Sequence, residues 1–255
     1  MPTPGRAWQV AAVAGVLLAL AGCSETIPGR AFPSPEPGQE ARGSGEPASS
    51  EAPVDCDYAP ADARNPNVID IEMPNDPDGS NDRVVLDVTS SQGAFQMTLN
   101  ATTAPCAANS MKFLAENAFF DGSPCHRLVN AKTFGVLQCG DPTGTGSGGP
   151  TYNYTFEPAS VDSLRPAPDG ASAIYPRGSV AMAQGGQPPT IGSQFFICFT
   201  DTQLPPDYTL VGTITAGIET IDVVAAGGND ASFEPSPGGG APLIPITLQT
   251  VTVQN

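Results

Sequence analysis

Pro124-Cys125-His126-Arg127-Leu128-Val129-Asn130-Ala131-Lys132-Thr133-Phe134-Gly135-Val136-Leu137-Gln138-Cys139-Gly140-Asp141 is the stretch on which the fold turns. Leu128-Val129 and Val136-Leu137 are apolar runs flanking a short connection, and they read as paired strands. One strand carries Arg127 and the other Gln138. A long Gly/Thr loop follows, from Gly140 to Gly149. Together with Gly192-Ser193-Gln194-Phe195-Phe196-Ile197, the stretch sets Arg127, the amide side chains of Gln138 and Gln194 and the aromatic pair Phe195-Phe196 among glycine-rich turns. It holds no acid–base dyad, no nucleophile beside a base and no metal-ligand cluster. That inventory suits a reaction in which no covalent bond is broken.

On the N-terminal side, Arg83-Val84-Val85-Leu86-Asp87-Val88-Thr89, the turn Ser90-Ser91-Gln92-Gly93 and Ala94-Phe95-Gln96-Met97-Thr98-Leu99 predict a hairpin. Pro105 opens a helix with Ala107, Met111, Leu114 and Ala118 on one face, stopped by Phe119-Phe120-Asp121-Gly122. On the C-terminal side, residues 179–183, 194–199, 208–214 and 244–253 read as strands. Gly217 to Ala226 fits a second helix, with Ile218, Ile221, Val224 and Ala225 on one face. Many short strands with two helices predict a mainly β protein, a closed antiparallel barrel capped at its ends. The composition agrees: 14% charged residues, 28 Gly and 28 Pro suit loops and short strands rather than long helices. The Gly144–Gly149 run lacks the lysine and the strand–loop–helix setting of a phosphate loop, and reads as a surface loop beside a groove.

The first 22 residues read as a targeting segment. Arg6 precedes the apolar run Trp8 to Leu20, which is too short for a comfortable membrane span. The run ends in Leu20-Ala21-Gly22-Cys23, which resembles a bacterial lipobox and implies cleavage before Cys23 and acylation of its thiol. The expected location is the extracytoplasmic face of a bacterial cell membrane. Residues 23–55, rich in Pro, Ser, Gly and Glu, are expected to be a disordered tether, because they cannot bury enough surface to offset chain entropy. Residues 56–82 are read as an extended arm along the domain or a linker, and 83–255 as the domain itself. The net charge of −16 excludes nucleic acid and anionic headgroups as charge-driven partners.

Three separated motifs resemble the cyclophilin family of peptidyl-prolyl cis/trans isomerases. They are His126-Arg127, then Gln138-Cys139-Gly140-Asp141-Pro142-Thr143-Gly144-Thr145-Gly146, then Gly192-Ser193-Gln194-Phe195-Phe196-Ile197. They fall in the family's order, over about residues 83 to 254. The resemblance implies eight strands in the barrel and two capping helices. It implies Arg127 as the catalytic donor and Gln138 as the residue that orients it. Ala183 and Gln184 would bind peptide backbone, Gln194 would line the groove and Phe196 the proline pocket. A second pocket aromatic would be Phe134, with Gly135 or Val136 as competitors in register. Where the family often has tryptophan and histidine, this chain has Leu204 or Gln203, and Tyr208.

The chain departs from the family at Cys125, where phenylalanine is usual, and in three extra residues between Arg127 and Gln138. His126, the only histidine, reads as a structural strand residue, since the reaction needs no general base. Beyond Cys23 there are five cysteines, an odd count that leaves at least one free. Cys198 fits a buried thiol, and Cys56, Cys106, Cys125 and Cys139 allow three pairings, with at least one bridge expected. The implied activity is X-Pro isomerisation in unfolded or partly folded exported polypeptides. The alternatives are a catalytically weak module that only holds Pro-containing peptides, and an envelope protein that only presents a surface. No cofactor or metal is implied, and a monomer is expected.

Overall fold

The computed structural model describes residues 54–79, 83–186 and 188–254. The expected leader, Cys23 and the tether up to residue 53 lie outside the described residues.

Nine strands form one curled sheet: β1 (Val84–Ser90), β2 (Gly93–Leu99), β3 (Ser123–Pro124), β4 (Arg127–Ala131), β5 (Phe134–Cys139), β6 (Ser179–Met182), β7 (Phe195–Cys198), β8 (Leu210–Ala216) and β9 (Thr247–Val253). The order is β3-β9-β1-β2-β8-β6-β7-β5-β4, with every pairing antiparallel. Alternation makes the β1–β2 hairpin: Leu86, Val88, Phe95, Met97 and Leu99 are all buried. In its turn the Ser90 hydroxyl donates to the Gly93 carbonyl and accepts from the Gln92 N–H, and Gly93 takes φ 133°.

The closed eight-stranded barrel is corrected by this order. The sheet has nine strands and is open. Its edge strands β3 and β4 are separated in sequence only by Cys125-His126, yet no ladder joins them. The reason is competition for their backbone groups. Leu128 on β4 exchanges both hydrogen bonds with Gly240 (2.8 and 3.1 Å), and the Cys125 N–H goes to the Ile246 carbonyl at 3.0 Å. The chain between β8 and β9 therefore covers the β4 edge.

Helix α1 (Pro105–Glu116) buries Cys106, Ala107, Ala108, Ser110, Met111, Leu114 and Ala115, and lies against β9, β1 and β8. It stops two residues before Ala118, which sits at φ 53° and is exposed rather than on the packed face. Helix α2 (Ile218–Gly227) buries Thr220, Ile221, Val224 and Ala225 and lies against β2. Both helices join the main core on one face of the sheet. A smaller cluster on the opposite face holds Val129, Val136, Tyr175, Ala181, Phe196 and Cys198.

Residues 54–79 pack along this domain. Cys56 is bridged to Cys106 at the start of α1. Tyr58 meets Tyr152 and Tyr154 edge-on at 5.4 and 5.7 Å, and its hydroxyl donates to the Cys106 carbonyl at 2.9 Å. Ala59–Pro60 pairs antiparallel with Tyr152–Asn153, and Val68–Ile69 pairs parallel with Gly149–Pro150. Only Val68–Ile69 of the alternating Val68–Met73 run becomes strand. In the chain-entropy picture, closing the 50-residue separation of Cys56 and Cys106 contributes about 4 kcal/mol.

Candidate active site

The site is a row of residues across three neighbouring strands. Arg127 on β4 stands opposite Gln138 on β5, and Gln138 opposite Phe196 on β7. The twofold period of strands puts Phe134 and Val136 on the same face as Gln138. The alternate residues Leu128, Leu137 and Phe195 enter the main core instead. One face of this sheet thus holds the fold and the other the groove.

The groove encloses about 540 Å³. Val136, nearly fully buried, and Phe196, 6% exposed, form its apolar part with Phe134, Leu204 and Tyr208. Phe196 and Tyr208 meet edge-on at 5.5 Å. Ala183 and Gln184 lie on its rim, the latter anchored by its amide N–H to the Asp207 carbonyl at 2.7 Å. Phe134 and Val136 both contribute. Gly135 points away, where a Cβ would collide with Thr200 and Phe199. Leu204 rather than Gln203 faces the groove. Gln194 lies behind the others: it accepts from Gln138 Nε2 at 2.9 Å, donates to the Gly148 carbonyl at 3.0 Å and borders an adjoining groove.

Arg127 is half-buried, and its guanidinium is fixed on three sides. Nη1 donates to Gln138 Oε1 (3.1 Å), Nε to the Gly238 carbonyl (2.9 Å) and Nη2 to the Pro237 carbonyl (2.6 Å). Its Cζ lies 5.9 Å from the centroid of the Phe134 ring. Burial lowers its pKa from the usual value, an effect opposed by Tyr208 and Glu234, and arginine stays protonated throughout. Among the described residues no carboxylate forms an ion pair with it, and its donors meet the neutral acceptors of Gln138, Pro237 and Gly238.

The turn Phe233–Gly239 was not visible as part of the site in sequence. Phe233 and Pro237 line the groove, and the Phe233 and Gly238 backbones close the turn. Thr145 and Gly146 line it as well. They are held by Asp141, a buried carboxylate that accepts from Thr143, Thr145, Gly146 and Gly148. Burial raises the Asp141 pKa, but these hydrogen bonds outweigh it and the net value is low. Gly148 is required there, since a Cβ would run into Asp141 and Thr143.

His126 also borders the groove. It is buried, and burial holds its pKa below the usual histidine range. The imidazole is neutral at pH 7, and its Nδ1 has no partner among the described residues. Cys125 and Cys139 form a disulfide just outside the Arg127–Gln138 pair, and Cys198 is a buried free thiol pushed up to about 12 by desolvation.

Known proteins match this arrangement in sequence and in fold. The family described as "Cyclophilin type peptidyl-prolyl cis-trans isomerase/CLD" matches residues 85–253. A protein of Mycobacterium tuberculosis described as "Probable peptidyl-prolyl cis-trans isomerase B" is 37% identical over 210 residues, 80% of this chain and 64% of its own length. One of Mycobacterium leprae with the same description is 36% identical, covering 80% of this chain and 68% of the relative. The chain thus spans about two thirds of these relatives. A Cryptosporidium parvum cyclophilin type peptidyl-prolyl cis-trans isomerase of known crystal structure superimposes with a TM-score of 0.53 at 25% identity, covering 68% of this chain and 99% of that one. With the family matched from β1 to β9 and its motifs gathered on one face of the sheet, this chain belongs to the cyclophilin-type peptidyl-prolyl cis-trans isomerase family.

Proposed function

We propose that this chain accelerates cis/trans rotation about X-Pro bonds of polypeptides that reach it outside the cytoplasm. The C–N bond resists rotation by ~18–20 kcal/mol because of its partial double-bond character. In the twisted transition state that conjugation is lost, and the proline nitrogen gains a localised, basic lone pair. A guanidinium has five N–H donors. Three are taken by Gln138, Pro237 and Gly238, which leaves two for the substrate without any reorientation of the group. The apolar slot of Val136, Phe196 and Leu204 suits a proline ring. Substrate backbone on the Ala183–Gln184 rim would fix the flanking chain while the bond turns. The observation that carries this reading is the fixed, unneutralised Arg127 at the mouth of an apolar pocket with no acid–base partner.

Arg127→Ala is expected to lower kcat/KM on an Ala-Pro tetrapeptide by about 10²-fold, as for loss of one preorganised electrostatic donor. Arg127→Lys is expected to be poor too, because a point charge lacks the planar fork. An Arg127→Ala protein of unchanged stability and full activity overturns the assignment.

The substrates we propose are unfolded or partly folded exported proteins, met by a monomer held on the membrane by lipid at Cys23. Leu20-Ala21-Gly22-Cys23 and the two disulfides support that location.

A further inference from the structure

The turn Phe233–Gly239 lies outside the three motifs that carry the family resemblance, yet it reaches the groove with two side chains, Phe233 and Pro237. It is built to hold its shape. The Phe233 N–H donates to the Gly239 carbonyl at 2.9 Å, and the Gly238 N–H returns to the Phe233 carbonyl at 2.9 Å. At its base, Asp230 Oδ1 accepts from the Ser232 and Ala241 N–H groups at 3.0 and 2.8 Å. Gly240 leaves the room this carboxylate needs, since a Cβ there would run into Asp230 Oδ1. The hydrogen bonds exchanged by Gly240 and Leu128 then tie the turn to β4, the strand of Arg127.

This framework carries an aromatic ring that the core does not use. Among the described residues, Phe233 belongs to neither core cluster, although it is large and half-buried. Core packing therefore does not account for it. The ring stands in the same groove as the apolar slot of Val136, Phe196 and Leu204. The Pro237 carbonyl on Arg127 Nη2 sets the turn directly against the guanidinium. At about 540 Å³ the groove has room well beyond one proline ring. A polypeptide with its proline in the slot brings a neighbouring residue to Phe233. A ring held in place beforehand lowers the ordering cost of that contact.

We propose that Phe233, backed by Pro237, is a specificity-determining residue that selects polypeptides with an aromatic or large aliphatic residue next to the X-Pro bond. The proposal rests on the isomerase reading above and adds a substrate class to it.

The test compares Ala-Ala-Pro-Ala with peptides that carry Phe, Leu or Ser immediately before or after the proline, using the full chain. In the wild type, Phe at one of these positions is expected to raise kcat/KM by about 10-fold, the size of an aromatic contact in a partly desolvated groove. Leu should give a smaller gain and Ser none. Phe233→Ala should abolish the gain, chiefly through KM, because the flanking side chain keeps its contact while the bond turns. Phe233→Trp should retain it. That variant also gives a readout independent of turnover, since Trp8 is the only native tryptophan. Its emission should shift when the Phe peptide is added and not when the Ser peptide is. Equal kcat/KM for all peptides in the wild type, a gain that survives Phe233→Ala, or a Phe233→Ala loss of the same size on every peptide overturns the assignment while leaving the isomerase reading intact. Emission of the Phe233→Trp protein that the Phe peptide leaves unchanged does so as well. A wild type that turns over no peptide overturns both.

Discussion

Arg127 has three of its donors committed before any substrate arrives, and two of the acceptors are backbone carbonyls more than 100 residues downstream. What aims those carbonyls is a side chain. Glu234 Oε1 accepts the Gly239 N–H at 2.7 Å and pins the turn that presents Pro237 and Gly238 to the guanidinium. Glu234 is thus a positioning residue for the arginine. Glu234→Ala is expected to lower kcat/KM about 5-fold, the equivalent of roughly 1 kcal/mol for one hydrogen bond. The loss should fall mainly on kcat, since the groove walls remain. Glu234→Gln keeps the acceptor and removes the charge, so it is expected to restore most of the activity. Steady-state kinetics of the two variants separate the roles: equal losses would assign the effect to charge rather than to the turn.

At the scale of elements, α1 shows how a helix end is completed from elsewhere. The first N–H groups of a helix have no partner within it. Ala104 at the N-cap has no side-chain acceptor, and the Glu157 carboxylate takes the Cys106 and Ala107 N–H groups at 2.8 and 3.0 Å. Burial nevertheless dominates: it pushes the Glu157 pKa up from 4.5 to about 7, against the lowering effect of those two hydrogen bonds. The folded state therefore holds this proton more tightly than the unfolded chain. Its contribution to stability is complete below pH 4.5 and is lost as the pH rises through about 7. On the order of 1–3 kcal/mol should disappear across that window in the wild type. Glu157→Gln cannot ionise, so the difference in unfolding free energy between the two proteins, measured by denaturant titration from pH 4 to 8, should change by that amount. A constant difference would rule out titration of Glu157 as the cause.

For the whole molecule, the arm and the two disulfides act together. The Cys56–Cys106 bridge ties residues 54–79 to α1, and the Cys125–Cys139 bridge ties the ends of the β4–β5 pair that bears Arg127 and Gln138. Among the described residues no helix is long and apolar enough to cross a membrane. Attachment in the proposed reading rests on acylation of Cys23, and more than one acyl chain would be needed for a stable anchor. Cells expressing wild type and Cys23→Ala are expected to differ in detergent-phase partitioning, with the wild type in the detergent phase and the variant in the aqueous phase. Identical partitioning of the two into the aqueous phase overturns the anchor.

The sequence by itself determined the elements whose information is local. Alternation specified β1 and β2, helical spacing specified most of α1 and α2, and the apolar pairs Leu128-Val129 and Val136-Leu137 found each other in register. The resemblance of three motifs to the cyclophilin family singled out Arg127, Gln138 and Phe196, and strand periodicity accounts for their sharing one face. Tertiary structure alone decided the rest. It set Gln194 behind Gln138 rather than against the first groove, and turned Leu204 inward in place of Gln203. It left the sheet open, because Gly240 took the edge of β4. It placed Pro237 and Gly238 on Arg127 through main-chain carbonyls, which every residue carries and no side-chain pattern distinguishes. Periodicity records what a segment buries; it holds no record of which distant backbone will satisfy an exposed edge or an unpaired donor.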